Sequence, residues 1–141
     1  MKNRILQGAI VIAGLAMAAC GSGTPGVDSL RESFAQQLAA NRAVTDFERK
    51  GEDLLFSGPA PETSGVVKWR VHIDSTAIEP SGDPDYPYKG VVKSSWYAND
   101  QVIRPSAGGK DSNLPVALTS TGLAQECWGL WDKTARKWGW E

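Results

Sequence analysis

Gly65-Val66-Val67-Lys68-Trp69-Arg70-Val71-His72-Ile73-Asp74 decides the fold. Val67, Trp69, Val71 and Ile73 alternate with Lys68, Arg70, His72 and Asp74. A period of two sends the first set to one side of a strand and the second to the other. One side is dry and the other wet, the pattern of an antiparallel sheet with a solvated face. Gly90 to Tyr97 reads as a second strand, Ala98-Asn99-Asp100 as a turn, and Gln101-Val102-Ile103-Arg104 as the return. Cys127 to Trp131 and Lys137 to Trp140 form a closing hairpin over a turn at Asp132–Arg136.

Upstream, Leu30, Phe34, Ala35, Leu38 and Ala39 recur at helical spacing, which predicts a helix over 29–41. Ser29-Leu30-Arg31-Glu32 fits a capping box at its start. Phe47 and the Leu54–Phe56 run are short and flank Lys50-Gly51, which favours a hairpin there over a second helix. Pro80 to Pro87 is a proline-rich loop, Pro105 to Pro115 a second long loop, and Leu114 to Leu123 is either a short helix or irregular. Helix first and strands after predicts an α+β domain: an N-terminal helix packed on an antiparallel meander β-sheet.

Composition removes several functions. The chain has 141 residues, enough for one domain. Lys and Arg number 15 against 16 Asp and Glu, so no basic field exists to grip nucleic acid. One His and two Cys exclude the common His/Cys-rich zinc sites.

The opening residues differ in kind from the rest. Met1-Lys2-Asn3-Arg4 is short and basic, and Ile5 to Ala19 is apolar apart from Gln7. Small residues then precede a cysteine, in Met17-Ala18-Ala19-Cys20. A basic start, an apolar run too short to span a bilayer and a small-residue cut describe a secretory signal. With cysteine at the cut, the segment resembles a bacterial lipoprotein signal, although Met17 stands where Leu is usual. The resemblance implies a signal peptide over 1–19 and a lipidated Cys20 as the first mature residue. It also implies a membrane partner through that lipid. Gly21 is not the Asp that tends to hold such proteins at the inner membrane, which points to the periplasmic face of the outer membrane. Several acyl chains exceed what stable anchoring requires. Residues 20–27 read as the lipidated cysteine and a flexible Gly/Ser/Pro tether, and 28–141 as a single periplasmic domain.

Little in that domain carries recognisable chemistry. His72 lies on the wet side of its strand, and neither G-x-S-x-G nor S-x-x-K occurs. Asp83 and Asp85, with Asp100 and Asp111 on other loops, lack EF-hand spacing and read as solvated turns rather than a Ca²⁺ site. Gly108-Gly109-Lys110-Asp111 lacks the spacing of a phosphate loop. No cofactor motif is present. Cys127 has no Lys, Arg or His beside it to stabilise a thiolate, so it reads as a buried thiol, with pairing between chains as the lesser possibility.

Tryptophan is the remaining signal, with 6 in the chain. Trp128, Trp131, Trp138 and Trp140 lie close to the C-terminus. Trp138 and Trp140 share a strand face, while Trp128 and Trp131 have opposite parity. The first use for these rings is the core. The second is a platform for a sugar ring or a peptide, with Trp140, next to the C-terminus, the member most expected to stand partly exposed. The sequence therefore supports a non-catalytic binding or structural module of the envelope. Its partner would be an envelope protein or peptidoglycan, a glycan or peptide held by exposed Trp. A small hydrolase, or an inhibitor of one, stands as the alternative.

Overall fold

The computed structural model describes residues 24–105 and 113–141. The signal segment, Cys20, Gly21–Gly23 and the Gly108–Asp111 stretch lie outside the described residues. The α+β architecture is as the sequence predicts: one principal helix on a curled, antiparallel, seven-stranded sheet. The helix α1 spans Val27–Ala39. The strands β1 (Thr45–Lys50), β2 (Asp53–Pro59), β3 (Val66–Pro80), β4 (Tyr88–Ala98) and β5 (Gln101–Ile103) follow as a meander. A single helical turn, α2 (Val116–Thr119), leads to the hairpin β6 (Glu126–Asp132) and β7 (Lys137–Trp140). The sheet order is β1-β2-β3-β4-β6-β7, with β5 paired to β4 beyond the end of β6.

The strand that decides the fold is longer than its alternation suggests. Trp69, Val71 and Ile73 point inward as expected, and then the register shifts between Ile73 and Ser75. Asp74 is the extra residue, so Asp74 and Ser75 both lie exposed. Parity changes there, and the inward positions become Thr76, opposite Val92, and Ile78, opposite Gly90. The bulge thus keeps a dry face dry across a 15-residue strand.

Helix α1 lies across the inner face, against β3 and β7. It buries Leu30, Phe34, Ala35 and Leu38. Close approach depends on Gly90, where a Cβ would stand 2.6 Å from one methyl of Leu30 and 3.1 Å from the Trp138 ring. The capping box does not form. Gly26 is the N-cap and no side chain caps the helix. Ser29 Oγ instead donates to the Gly26 carbonyl at 2.7 Å and accepts the Trp138 indole N–H at 3.1 Å. Glu32 turns away to Arg49, 2.5 Å from its guanidinium. Tertiary partners claim both side chains that the local motif would have used. Pro25 is buried and Val27 is already helical, so the described part of the Gly/Ser/Pro stretch lies against the domain.

The turns follow their sequences. Asn99 and Asp100 both have positive φ, 49° and 66°, the mirror-image two-residue turn that suits the strand twist. In the β6–β7 turn Asp132 Oδ1 accepts the backbone N–H groups of Thr134 and Ala135, both at 2.9 Å. The ambiguous 114–123 segment is anchored by Leu114, Leu118 and Leu123, all buried.

Candidate functional site

Strand β6 alternates without a bulge. Cys127, Gly129 and Trp131 face inward, while Glu126, Trp128 and Leu130 face outward. Trp131 pairs with Trp138 across the hairpin, their rings 5.4 Å apart and edge-on. Both are core residues. Trp140 also points inward, edge-on to Phe34 at 5.7 Å, and donates its N–H to Ser33 Oγ at 3.0 Å. Trp69 and Trp96 are fully buried, edge-on at 5.9 Å, with N–H bonds to the Pro59 carbonyl and Ser94 Oγ. Cys127 is buried in the same core cluster.

Trp128 is the exception. It is 45% exposed and, among the described residues, its indole N–H has no hydrogen-bond partner. The four sequence-designated tryptophans therefore do not share one platform. The most exposed member is Trp128, while Trp140 is half-buried. Parity within β6 separated Trp128 from Trp131 in the sequence, but did not say which of the two faced out.

The register builds the outer face in rows. Ala77, Val91 and Trp128 are adjacent across β3, β4 and β6. On one side of that apolar row stand Glu79, Lys89 and Leu130; on the other, Ser75, Lys93 and Glu126. Lys89 Nζ sits 4.9 Å from the Trp128 ring centroid and 3.6 Å from Glu79. The ammonium over the indole is a cation–π contact. On β7 the neighbour of Leu130 is Gly139, which brings no side chain to the face. The row crosses three strands, about 10 Å at ordinary strand spacing. That width suits one sugar ring or one apolar side chain, with charged groups along both rims and the Ser75 hydroxyl on one of them.

Further along the same face, His72 meets two carboxylates. Its Nδ1 is 2.7 Å from Asp53 Oδ1, and Nε2 is 3.9 Å from Asp74 Oδ1. The bulge that turns Asp74 outward is what brings it here. Ser95, opposite His72 in the ladder, donates its Oγ hydrogen to Asp74 Oδ2 at 2.6 Å. The serine hydrogen thus goes to a carboxylate and not to the imidazole, as an activated nucleophile would require. The side chains of His72, Asp53 and Asp74 are each at least a third exposed on an open sheet face. Sequence reasoning placed His72 beside Asp74 but missed Asp53 and Ser95, which arrive from other strands.

The acidic loop residues are structural. Asp83 Oδ1 accepts the backbone N–H of Asp85 at 2.8 Å, and Asp100 sits in the tight turn. Among the described residues no group of three His, Cys, Asp or Glu converges as metal ligands. A shallow depression of about 380 Å³ lies between Ala40–Ala43 and α2, lined also by Ser120 and Thr121. Asn41 closes its floor by donating to the Ala117 carbonyl at 2.8 Å, and Arg42 is its one charged group. No described helix is long and apolar enough to cross a membrane.

Comparison of the chain with protein-family models, with curated proteins and with solved structures finds no match.

Proposed function

We propose that the protein is a lipid-anchored, non-catalytic binding module of the bacterial envelope, and that the outer sheet face around Trp128 meets the ligand. The anchor is Cys20, lipidated at the periplasmic face of the outer membrane. The observation that carries the binding surface is the fate of the tryptophans: five are packed into or against the core, and Trp128 stands out on the opposite face. An indole with an unengaged N–H, beside Val91 and between two polar rows, suits stacking on a sugar ring or an apolar peptide side chain. The ligand class is an envelope polymer, either peptidoglycan or an extended segment of an envelope protein. One aromatic anchor gives weak intrinsic affinity, and tethering at a membrane compensates by raising the effective concentration. The His72 cluster supports no catalytic reading, because its serine points at a carboxylate.

The test uses the full lipid-anchored protein. Cosedimentation with purified sacculi covers the glycan. A photo-crosslinking amino acid at position 91, directly opposite Trp128 on the same face, covers the peptide. Retention or a crosslinked adduct that Trp128→Ala or a distant crosslinker position abolishes supports the proposal. Absence of both, or retention unchanged in Trp128→Ala, overturns it. The anchor is tested separately by palmitate labelling, which Cys20→Ala should abolish.

A further inference from the structure

The structure places the start of the described chain at one end of the sheet. The hydroxyls of Thr24 and Tyr88 are hydrogen-bonded at 3.1 Å, and Tyr88 opposite Pro80 is the last rung of the β3–β4 ladder. Pro25 is buried beside them. The loop Ser81–Pro87 projects beyond that rung. The β6–β7 turn reaches the same end, since the Lys133 N–H donates to the Asp85 carbonyl at 3.3 Å.

From this we infer that the β3–β4 loop and the β6–β7 turn form a surface that rests on the phospholipid headgroup layer. The inference depends on the lipidated Cys20 proposed above. Three residues separate Cys20 from Thr24, making four Cα–Cα steps. Even fully extended they reach about 14 Å. The headgroup layer itself takes up roughly 5–7 Å of that. The end carrying Thr24 therefore cannot leave the bilayer by more than about 7–9 Å, whatever path the tether takes.

The side chains at this end suit that position. Tyr86, 39% exposed where the loop returns towards β4, is the kind of aromatic that settles at the headgroup level. Lys133, Arg136 and Lys137 form no ion pair among the described residues. Asp83, Asp85 and Asp132 balance them, and Asp28 adds one negative charge. With charges near balance, contact requires no anionic lipid. The geometry also orients the proposed binding face. A sheet face is perpendicular to its strand ends, so Trp128 looks sideways along the membrane. It sits opposite Val91, three residues from the last rung, about 10 Å up the strand. A partner for Trp128 must therefore come close to the bilayer surface.

The experiment uses full-length, lipid-modified protein in phosphatidylcholine vesicles that contain a nitroxide-headgroup lipid. A fluorophore is attached to Tyr86→Cys, or to Lys133→Cys as an independent probe of the same end. Val66→Cys, 72% exposed at the opposite end of β3, is the reference. Intact mass reports the lipid on Cys20. With the lipid present, quenching at 86 and 133 should exceed that at 66 several-fold and persist without anionic lipid. Equal quenching at both ends, with the lipid present, overturns the orientation and leaves the anchor standing. A Cys20 without lipid removes the anchor, and the orientation with it.

Discussion

Trp128 and Trp131 stand three residues apart on β6, yet one faces solvent and the other packs edge-on against Trp138. The residue type is the same and the strand is the same; only the face differs. On the inner face α1 covers the sheet, and the indole N–H groups of Trp69, Trp96, Trp138 and Trp140 all have partners. On the outer face Trp128 is 45% exposed, with the ammonium of Lys89 over its ring. Burial with a satisfied N–H makes a tryptophan structural, whereas exposure with an unengaged N–H makes it available. The two faces should therefore respond differently to the same substitution.

The largest effect is expected inside. Trp96→Ala removes a fully buried ring, leaves Trp69 without its edge-on neighbour and strips Ser94 of a donor. It should cost about 3–5 kcal/mol of stability. Chemical denaturation followed by circular dichroism measures this, and a loss below 1 kcal/mol would mean the inner face is not the core. Next comes Gly90→Val, which drives a branched side chain into Leu30 and Trp138. A loss of about 1–3 kcal/mol is expected. An unchanged melting curve would show that α1 does not lie against β4 as described.

Trp128→Ala should lower stability by at most about 1 kcal/mol, the range of a cross-strand pair. Its signature is functional: retention on sacculi or crosslinking is lost while the fold persists. Iodide quenching sharpens the contrast further, because Trp128→Phe should remove most of the quenchable fluorescence. Undiminished quenching in that variant would place another indole at the surface. The smallest effect belongs to His72→Ala. It breaks an exposed contact with Asp53 worth roughly 0.2–1 kcal/mol, and binding should be unchanged. Loss of ligand retention in this variant would move the site along the sheet, away from Trp128.

Much of the fold was legible. Alternation in residues 65–74, the Asn99-Asp100 turn, the Lys50-Gly51 hairpin and the closing hairpin all rest on short-range stereochemistry. Helix α1 was legible through its apolar spacing. The capping box failed because Ser29 and Glu32 found partners on β7 and β1, which no local window contains. That Trp128 is more exposed than Trp140 was hidden for a related reason. Nearness to the C-terminus suggested Trp140, but that ring folds back on Phe34 and Ser33 of the helix. The His72 cluster was half legible, since Asp74 is a sequence neighbour while Asp53 and Ser95 belong to flanking strands.

By itself, the sequence determined an α+β fold with a helix on an antiparallel meander, and that Trp128 and Trp131 must part company. A strand's period of two separates neighbours without reference to anything distant. Only the tertiary structure decided which side of β6 is buried, because either side carries a tryptophan and the position of α1 breaks the tie. It alone decided that Asp74 bulges outward, so that a long strand crosses the core with its inner face unbroken. Both outcomes depend on contacts between residues far apart in the chain, and those contacts exist only once the sheet has closed over the helix.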